Sequence, residues 1–85
     1  MNSRLVTIYR SNREEGLYLY VDKAEDISRA PEALLQQMGK MDIVMTLELD
    51  RERKLARADA AKVLDAIETQ GFYLQLPPVR ENPDP

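Results

Sequence analysis

The sequence predicts a small α/β domain in which a four-stranded mixed sheet is flanked by two helices, as in an α/β/α sandwich. Three observations support this class. Short runs of β-branched, aliphatic and aromatic residues alternate with segments of helical periodicity, in the order β-β-α-β-α-β. The chain has 85 residues, which allows one domain only. Of these residues, 44% are hydrophobic and 32% are charged, a balance typical of folded globular proteins.

The first two strands are predicted to form an antiparallel hairpin. Residues 5–9 are β-branched and aromatic, and residues 17–21 alternate aliphatic with aromatic side chains. The polar segment between them ends at Gly16, and so short a polar connection favours a hairpin. Residues 22–30, which follow the hairpin, are polar and are predicted to be irregular.

Residues 31–38 form the first predicted helix, and residues 43–49 form the third strand. Pro31 suits the first helical position, where its missing N–H costs nothing, and Gly39 suits the helix end. The apolar face of this helix carries Leu34, Leu35 and Met38. A helix of about two turns depends on packing for its stability. A charged link over residues 50–54 follows the third strand.

Asp59 is predicted to cap the second helix, because its carboxylate can accept from the free N–H groups at the helix start. An apolar stripe follows at helical spacing and consists of Ala60, Val63, Leu64 and Ile67. Gly71 is predicted to end this helix. The pattern therefore indicates an amphipathic helix that buries one side.

Residues 72–76 form the last predicted strand, which Pro77 and Pro78 end because proline cannot donate to a β-ladder. We therefore predict a domain over residues 1–76 and a polar, proline-rich tail over residues 77–85. The pattern leaves open the order of the strands and the direction in which the last strand pairs.

Alternation along the strands predicts two different sheet faces. One face is strongly apolar and carries Leu17, Leu19, Val21, Ile43, Met45, Leu47, Leu49, Phe72, Leu74 and Leu76. The other face is mixed and carries Tyr18, Tyr20, Val44, Thr46, Glu48, Tyr73 and Gln75. Because the mixed face is still largely apolar, we expect one helix on each face rather than both helices on the first.

The composition excludes several kinds of chemistry. The sequence contains no His, Cys or Trp, which excludes Cys/His zinc sites, thiol nucleophiles, disulfides and His-based catalytic triads. The net charge of −3 opposes non-specific binding to nucleic acid. The longest apolar run, residues 43–47, is too short to span a membrane, and no signal-peptide pattern begins the chain. We therefore expect a cytoplasmic protein that binds no cofactor, no metal and no membrane.

Several short blocks carry a family resemblance. In order they are Tyr9-Arg10-Ser11, Tyr18-Leu19-Tyr20-Val21, Pro31 with Leu34-Leu35 and Gly39, Lys54-Leu55-Ala56 with Asp59, and the closing Gly71-Phe72-Tyr73-Leu74-Gln75-Leu76-Pro77-Pro78. The chain resembles the YcgL family of small, uncharacterised proteobacterial proteins over about residues 4–78. The resemblance implies a compact α/β domain with helices flanking a small sheet. It implies no activity and no catalytic residue.

Four tyrosines are the first candidate for a functional surface. They are Tyr9, Tyr18, Tyr20 and Tyr73. Exposed rings on a sheet can stack unpaired RNA bases. The arginines available to hold phosphate are Arg10, Arg13 and Arg57. We favour the alternative, that the rings lie beneath a helix, because aromatic rings are mainly core residues and the acidic balance opposes RNA.

The only basic cluster lies between the third strand and the second helix. It consists of Arg51, Arg53, Lys54 and Arg57. Asp50 and Glu52 reduce its net charge to +2 over residues 50–57. An anion bound there would meet the start of the second helix, whose free N–H groups Asp59 is expected to occupy. We therefore favour a solvated connecting loop over an anion site.

Carboxylates are the remaining groups that suit metal binding or acid–base catalysis. The candidates are Asp22, Glu25, Asp26, Asp42, Glu48 and Asp50. Residues 22–26 lack the alternating ligands and central Gly of a calcium loop. The serines available as nucleophiles lack a His base. A carboxylate-dependent hydrolase is therefore the weakest hypothesis.

The leading hypothesis is a non-catalytic domain that interacts with a protein partner, and the alternative is an RNA-linked accessory domain that uses the tyrosines and nearby arginines. Gln75 belongs to the candidate surface because Gln is not a favoured strand residue. The full candidate surface is Tyr9, Arg10, Tyr18, Tyr20, Arg51, Arg53, Lys54, Arg57, Tyr73 and Gln75.

Overall fold

The computed structural model describes residues 3–53 and 59–77. In chain order the elements are β1 (Arg4–Ser11), β2 (Tyr18–Asp22), a 3₁₀ turn (Asp26–Arg29), α1 (Glu32–Met38), β3 (Met41–Leu49), α2 (Ala60–Gln70) and β4 (Phe72–Gln75). This order confirms the predicted β-β-α-β-α-β pattern and the α/β class. The 3₁₀ turn lies inside the segment that was expected to be irregular. Of the predicted tail, residues 78–85 lie outside the described residues, so its boundary stays a prediction.

The four strands form one sheet in the order β3-β1-β2-β4, and all three pairings are antiparallel. The predicted hairpin of β1 and β2 is confirmed. The prediction of a mixed sheet is wrong, because every pairing in the described sheet is antiparallel. The reason lies in the path of α2. This helix packs on Leu49 at the end of β3 and leads to β4, which begins opposite Val21 at the same end of the sheet. A strand that starts at the end where β3 finishes runs opposite to β3. Because β2 and β3 both pair antiparallel with β1, they run in the same direction, so β4 is also antiparallel to β2.

One face of the sheet is covered by α2. The predicted stripe is buried and packs on strand residues in a cluster made of Val6, Ile8, Tyr20, Leu47, Leu49, Ala60, Val63, Leu64 and Ile67. Asp59 caps the helix as predicted, since its carboxylate accepts from the Ala61 amide at 2.9 Å. Gly71 ends the helix in the left-handed conformation, with φ of 94°. Among the described residues, no helix is long and apolar enough to cross a membrane.

The opposite face is covered by α1 and the 3₁₀ turn. Its buried cluster is Leu17, Leu19, Val21 and Met38, against which Tyr9, Ile27, Leu34, Leu35, Met41, Phe72 and Leu74 pack. Pro31 lies just before α1, at its N-cap, and Gly39 follows the helix with φ of 68°. Helices therefore lie on both faces, which confirms the three-layer arrangement.

The distribution of β3 over the two faces differs from the prediction. Leu47 lies opposite Val6, so Leu47 and Leu49 pack beneath α2 and not with the cluster of Leu17 and Leu19. A β-bulge then changes the register, because Met45 lies opposite Ile8 while Ile43 lies opposite Tyr9. Alternation shows that successive residues of a strand lie on opposite faces, but it cannot show which set lies on which face of the whole sheet. The pairing register with the neighbouring strand determines this.

Candidate protein-interaction surface

Three of the four candidate tyrosines share the α2 face, as their spacing predicts. Tyr20 is only 7% exposed, and its ring meets the Tyr73 ring edge to face, with centroids 5.6 Å apart and planes at 83°. Tyr18 and Tyr73 are half-buried against the same core. Edge-to-face pairs are typical of packed aromatic residues, and these rings stabilise the layer between the sheet and α2.

Gln75 belongs to the same layer. It is 8% exposed, and its side-chain Oε1 accepts a hydrogen bond of 2.7 Å from the Tyr20 hydroxyl. Burial, together with the neighbouring Tyr73 and Tyr18, raises the pKa of Tyr20. The carboxamide therefore satisfies a hydroxyl that would otherwise be buried without a partner, which explains a Gln in this strand.

Tyr9 lies on the other face of the sheet and is separated from the remaining tyrosines. It packs against the cluster beneath α1, and its hydroxyl donates to Asp26 Oδ1 at 2.5 Å. Burial and the adjacent Asp26 carboxylate raise the pKa of Tyr9 to about 12. Asp26 has φ of 52°, an unusual backbone conformation for a residue other than Gly. This contact connects β1 to the 3₁₀ turn.

The described candidate arginines lie apart, and each contacts an acidic group or a carbonyl. Arg10 lies 3.8 Å from Asp42, and Arg51 lies 3.0 Å from Asp65. The Arg53 guanidinium donates to the Glu48 carbonyl at 3.4 Å. Lys54 and Arg57 lie outside the described residues. The eight described candidates therefore divide between the two faces and the edge of the sheet and do not form one surface.

The carboxylate of Asp22 is used within the fold. It accepts from the amides of Ala24 and Glu25 at 2.8 and 3.2 Å and from Arg4 at 2.8 Å. Partial burial would raise the pKa of Asp22, but these hydrogen bonds outweigh burial and lower it. Within residues 3–53 and 59–77, no three carboxylates gather in a group that could hold a metal ion.

The sequence prediction missed an open apolar edge. β3 is the outer strand on its side of the described sheet, and three consecutive residues in its middle are exposed. Ile43 is 61% exposed, Val44 is 47% exposed and Met45 is 46% exposed. Their consecutive apolar character is the available signal, but it is equally typical of a buried core strand. These residues, together with the outward backbone groups of β3, are called the β3 edge below.

Over residues 3–53 and 59–77, these features define a small three-layer α/β domain in which the β3 edge is apolar and uncovered. A family model described as the YcgL domain matches residues 6–78, and the chain belongs to the YcgL domain family. This confirms the resemblance found in the sequence.

Three relatives, each named as a YcgL domain-containing protein, illustrate the similarity. The protein from Hahella chejuensis is 52% identical over 79 residues, which cover 93% of this chain and 74% of the relative. The protein from Chromohalobacter salexigens is 51% identical over 82 residues, which cover 96% of this chain and 85% of the relative. The protein from Pseudomonas aeruginosa is 54% identical over 78 residues, covering 92% and 80%. These names state a domain and no activity.

Proposed function

We propose that this domain is a non-catalytic protein-interaction module that binds a protein partner through the β3 edge. The observation that carries the proposal is the exposure of three consecutive aliphatic residues, Ile43, Val44 and Met45, on an outer strand. The module needs no cofactor or metal, and we assign it to the cytoplasm, with which the absence of Cys is compatible.

Edge strands provide both parts of a binding surface. Their outward N–H and C=O groups can pair with another strand, and their side chains provide specificity. Edge strands that avoid association commonly carry charged residues at the centre, whereas the centre of β3 is aliphatic. Covering Ile43, Val44 and Met45 would remove apolar surface from water, which favours binding.

The positions of the other candidates support a protein partner over RNA. Tyr20, which would have to stack on a base, is buried beneath α2, and its hydroxyl is bonded to Gln75. Arg10, Arg51 and Arg53 contact Asp42, Asp65 and the Glu48 carbonyl, respectively. The net charge of −3 also opposes phosphate binding.

Site-specific photo-crosslinking in cells tests the proposal. A photoreactive side chain at Val44 is compared with the same group at Leu76, a matched control that is 63% exposed but lies outside β3. We expect discrete protein crosslinks from position 44 and none of the same crosslinks from position 76. Crosslinks that are identical at both positions, or that are absent at position 44, would contradict binding through the β3 edge.

A further inference from the structure

We propose that the partner at the β3 edge is a second copy of this chain, which pairs antiparallel through residues 41–46. This inference rests on the proposed function and names its partner. Pairing in this way joins two four-stranded sheets into one continuous sheet with β3 of each copy at the centre. The contact is isologous, so the same residues act on both sides.

At both ends of residues 41–46, backbone N–H and C=O groups point away from β1. The Leu5 carbonyl accepts from the Lys23 amide at 2.9 Å, so the backbone groups of Leu5 face β2. Because backbone groups alternate in direction along a strand, the odd-numbered residues of β1 form backbone hydrogen bonds with β2 and the even-numbered residues form them with β3. Met41 and Thr46 both lie opposite odd-numbered residues of β1. Their N–H and C=O groups therefore point away from β1, towards an incoming strand.

The open segment, residues 41–46, ends before Leu47. The carbonyl of Glu48 also points outward, but the Arg53 guanidinium already donates to it at 3.4 Å. α2 covers β3 at Leu47 and Leu49, beyond the open segment. No described element therefore covers residues 41–46, whereas an incoming strand would meet side chains beyond them.

The bulge decides which register of self-pairing is geometrically consistent. Residues directly opposite in an antiparallel pair share a face, and pairing residues 41–46 with a second copy places Met41 opposite Thr46. In a regular strand these two residues, five positions apart, would point to opposite faces. The extra residue Val44 places both side chains on the same face of the sheet. Met41 lies opposite Ser11 and Thr46 lies opposite Thr7, and these two odd-numbered residues of β1 share a face.

The same register brings the exposed aliphatic residues together. Ile43 of each copy lies opposite Val44 of the other at the two-fold axis, and Met45 lies opposite Asp42. No like charges stand directly opposite each other. Asp42 retains its own partners, because its carboxylate accepts from Asn12 at 3.1 Å and lies 3.8 Å from Arg10. The contact therefore covers apolar surface without isolating a charge.

Sedimentation equilibrium over a range of concentrations measures the association. We expect wild type and the control Leu76→Lys to dimerise equally, and Val44→Lys to weaken the dimer by about tenfold or more, because each copy then brings an ammonium group to the axis. Circular dichroism establishes that both variants are folded. A wild-type chain that stays monomeric at all concentrations would overturn the inference.

Disulfide trapping tests the register directly. The chain contains no Cys, so an Asp42→Cys chain mixed with a Met45→Cys chain has one thiol per copy. The proposed register makes these residues a non-hydrogen-bonded pair with Cα atoms about 4.5 Å apart, within the range of a disulfide. We expect a mixed dimer on oxidation, whereas Asp42→Cys mixed with Glu68→Cys should give none. Equal yields from both mixtures would contradict the register.

The two proposals fail in different ways. If the chain is monomeric and Val44 nevertheless crosslinks to other proteins, the β3 edge binds a different partner and only the second-copy inference is wrong. If amide exchange at Met41 and Thr46 is slow in a monomer, another segment of the same chain covers the edge, and both proposals are wrong.

Discussion

The hydroxyl of Tyr20 on β2 donates to the carboxamide of Gln75 on β4 across 2.7 Å, and both side chains are buried beneath α2. The two residues are 55 positions apart in the chain, so only the folded sheet brings them together. Tyr73 closes the same layer with its edge-to-face contact to Tyr20. A polar pair thus lies inside an otherwise apolar layer with both partners satisfied.

Replacing Gln75 with Leu should destabilise the domain by about 1–3 kcal/mol, because the Tyr20 hydroxyl remains buried without its acceptor. The double variant Tyr20→Phe with Gln75→Leu should lose less than the sum of the single variants, since neither partner then remains unpaired. Urea denaturation measures the free energies of unfolding. Gln37→Leu on the exposed side of α1 is the control and should change stability by no more than about 0.5 kcal/mol. Strict additivity of the two single variants would contradict the role of the hydrogen bond.

Tyr9 should titrate well above an ordinary tyrosine, since burial and Asp26 raise its pKa from 10.0 to about 12. The absorbance of tyrosinate during alkaline titration measures this, with Tyr9→Phe subtracted to isolate its contribution. Asp26→Asn should lower the pKa of Tyr9 part of the way, because it keeps the acceptor oxygen but removes the negative charge. A Tyr9 pKa unchanged by Asp26→Asn would show that the carboxylate has no influence.

The same group makes stability depend on pH. Because the folded state holds the Tyr9 proton more tightly, its contribution is complete below the ordinary tyrosine pKa and is lost as pH rises from 10.0 towards about 12. Wild type should therefore lose stability across that range more steeply than Tyr9→Phe. Tyr20, whose pKa is also raised, contributes in the same direction in both proteins and cancels in the comparison. Parallel pH profiles of the two proteins would contradict this coupling.

Gly71→Ala should destabilise the domain by about 2 kcal/mol or more. Its φ of 94° alone costs a residue with a Cβ about 1–2 kcal/mol, and the added Cβ would clash with the Cβ of Arg29. Gly16→Ala is the matched control, with φ of 90° and a contact of 3.0 Å to Pro77. Thermal unfolding should show a larger loss for Gly71→Ala. Equal losses would indicate that Arg29 moves aside without cost.

Asp59→Ala should destabilise the domain by about 1 kcal/mol, because the Ala61 amide loses the carboxylate that caps α2. Asp59→Asn keeps an acceptor oxygen at the same place and should recover most of that loss. Urea denaturation of the three proteins measures the difference. An Asp59→Asn variant as unstable as Asp59→Ala would show that charge, rather than the hydrogen bond, is responsible.

Local patterns in the sequence were sufficient for the elements and their ends. The stripe from Ala60 to Ile67, the cap at Asp59 and the end at Gly71 each depend on neighbours within a few residues, and the structure confirms them. The shared face of Tyr18, Tyr20 and Tyr73 was also predictable, because alternation along β2 and β4 separates the tyrosines from the strongly apolar positions.

The candidate surface required information that no local pattern holds. Gln75 is a candidate because Gln is unusual in a strand, and only the pairing of β2 with β4 shows that its carboxamide accepts the hydrogen bond from Tyr20. Ile43, Val44 and Met45 form an apolar run that suits a buried strand equally well. Whether such a run is buried depends on what lies beside it, and β3 has no described neighbour on its outer side.

The sequence by itself determined the order of the elements, their boundaries to within a few residues, the helix caps and the presence of two apolar faces. The tertiary structure decided which face each β3 residue joins, the antiparallel direction of every pairing and the exposure of the β3 edge. The physical reason is that periodicity and capping act over one to four residues, whereas register, strand order and the bulge at Val44 arise from contacts between distant segments.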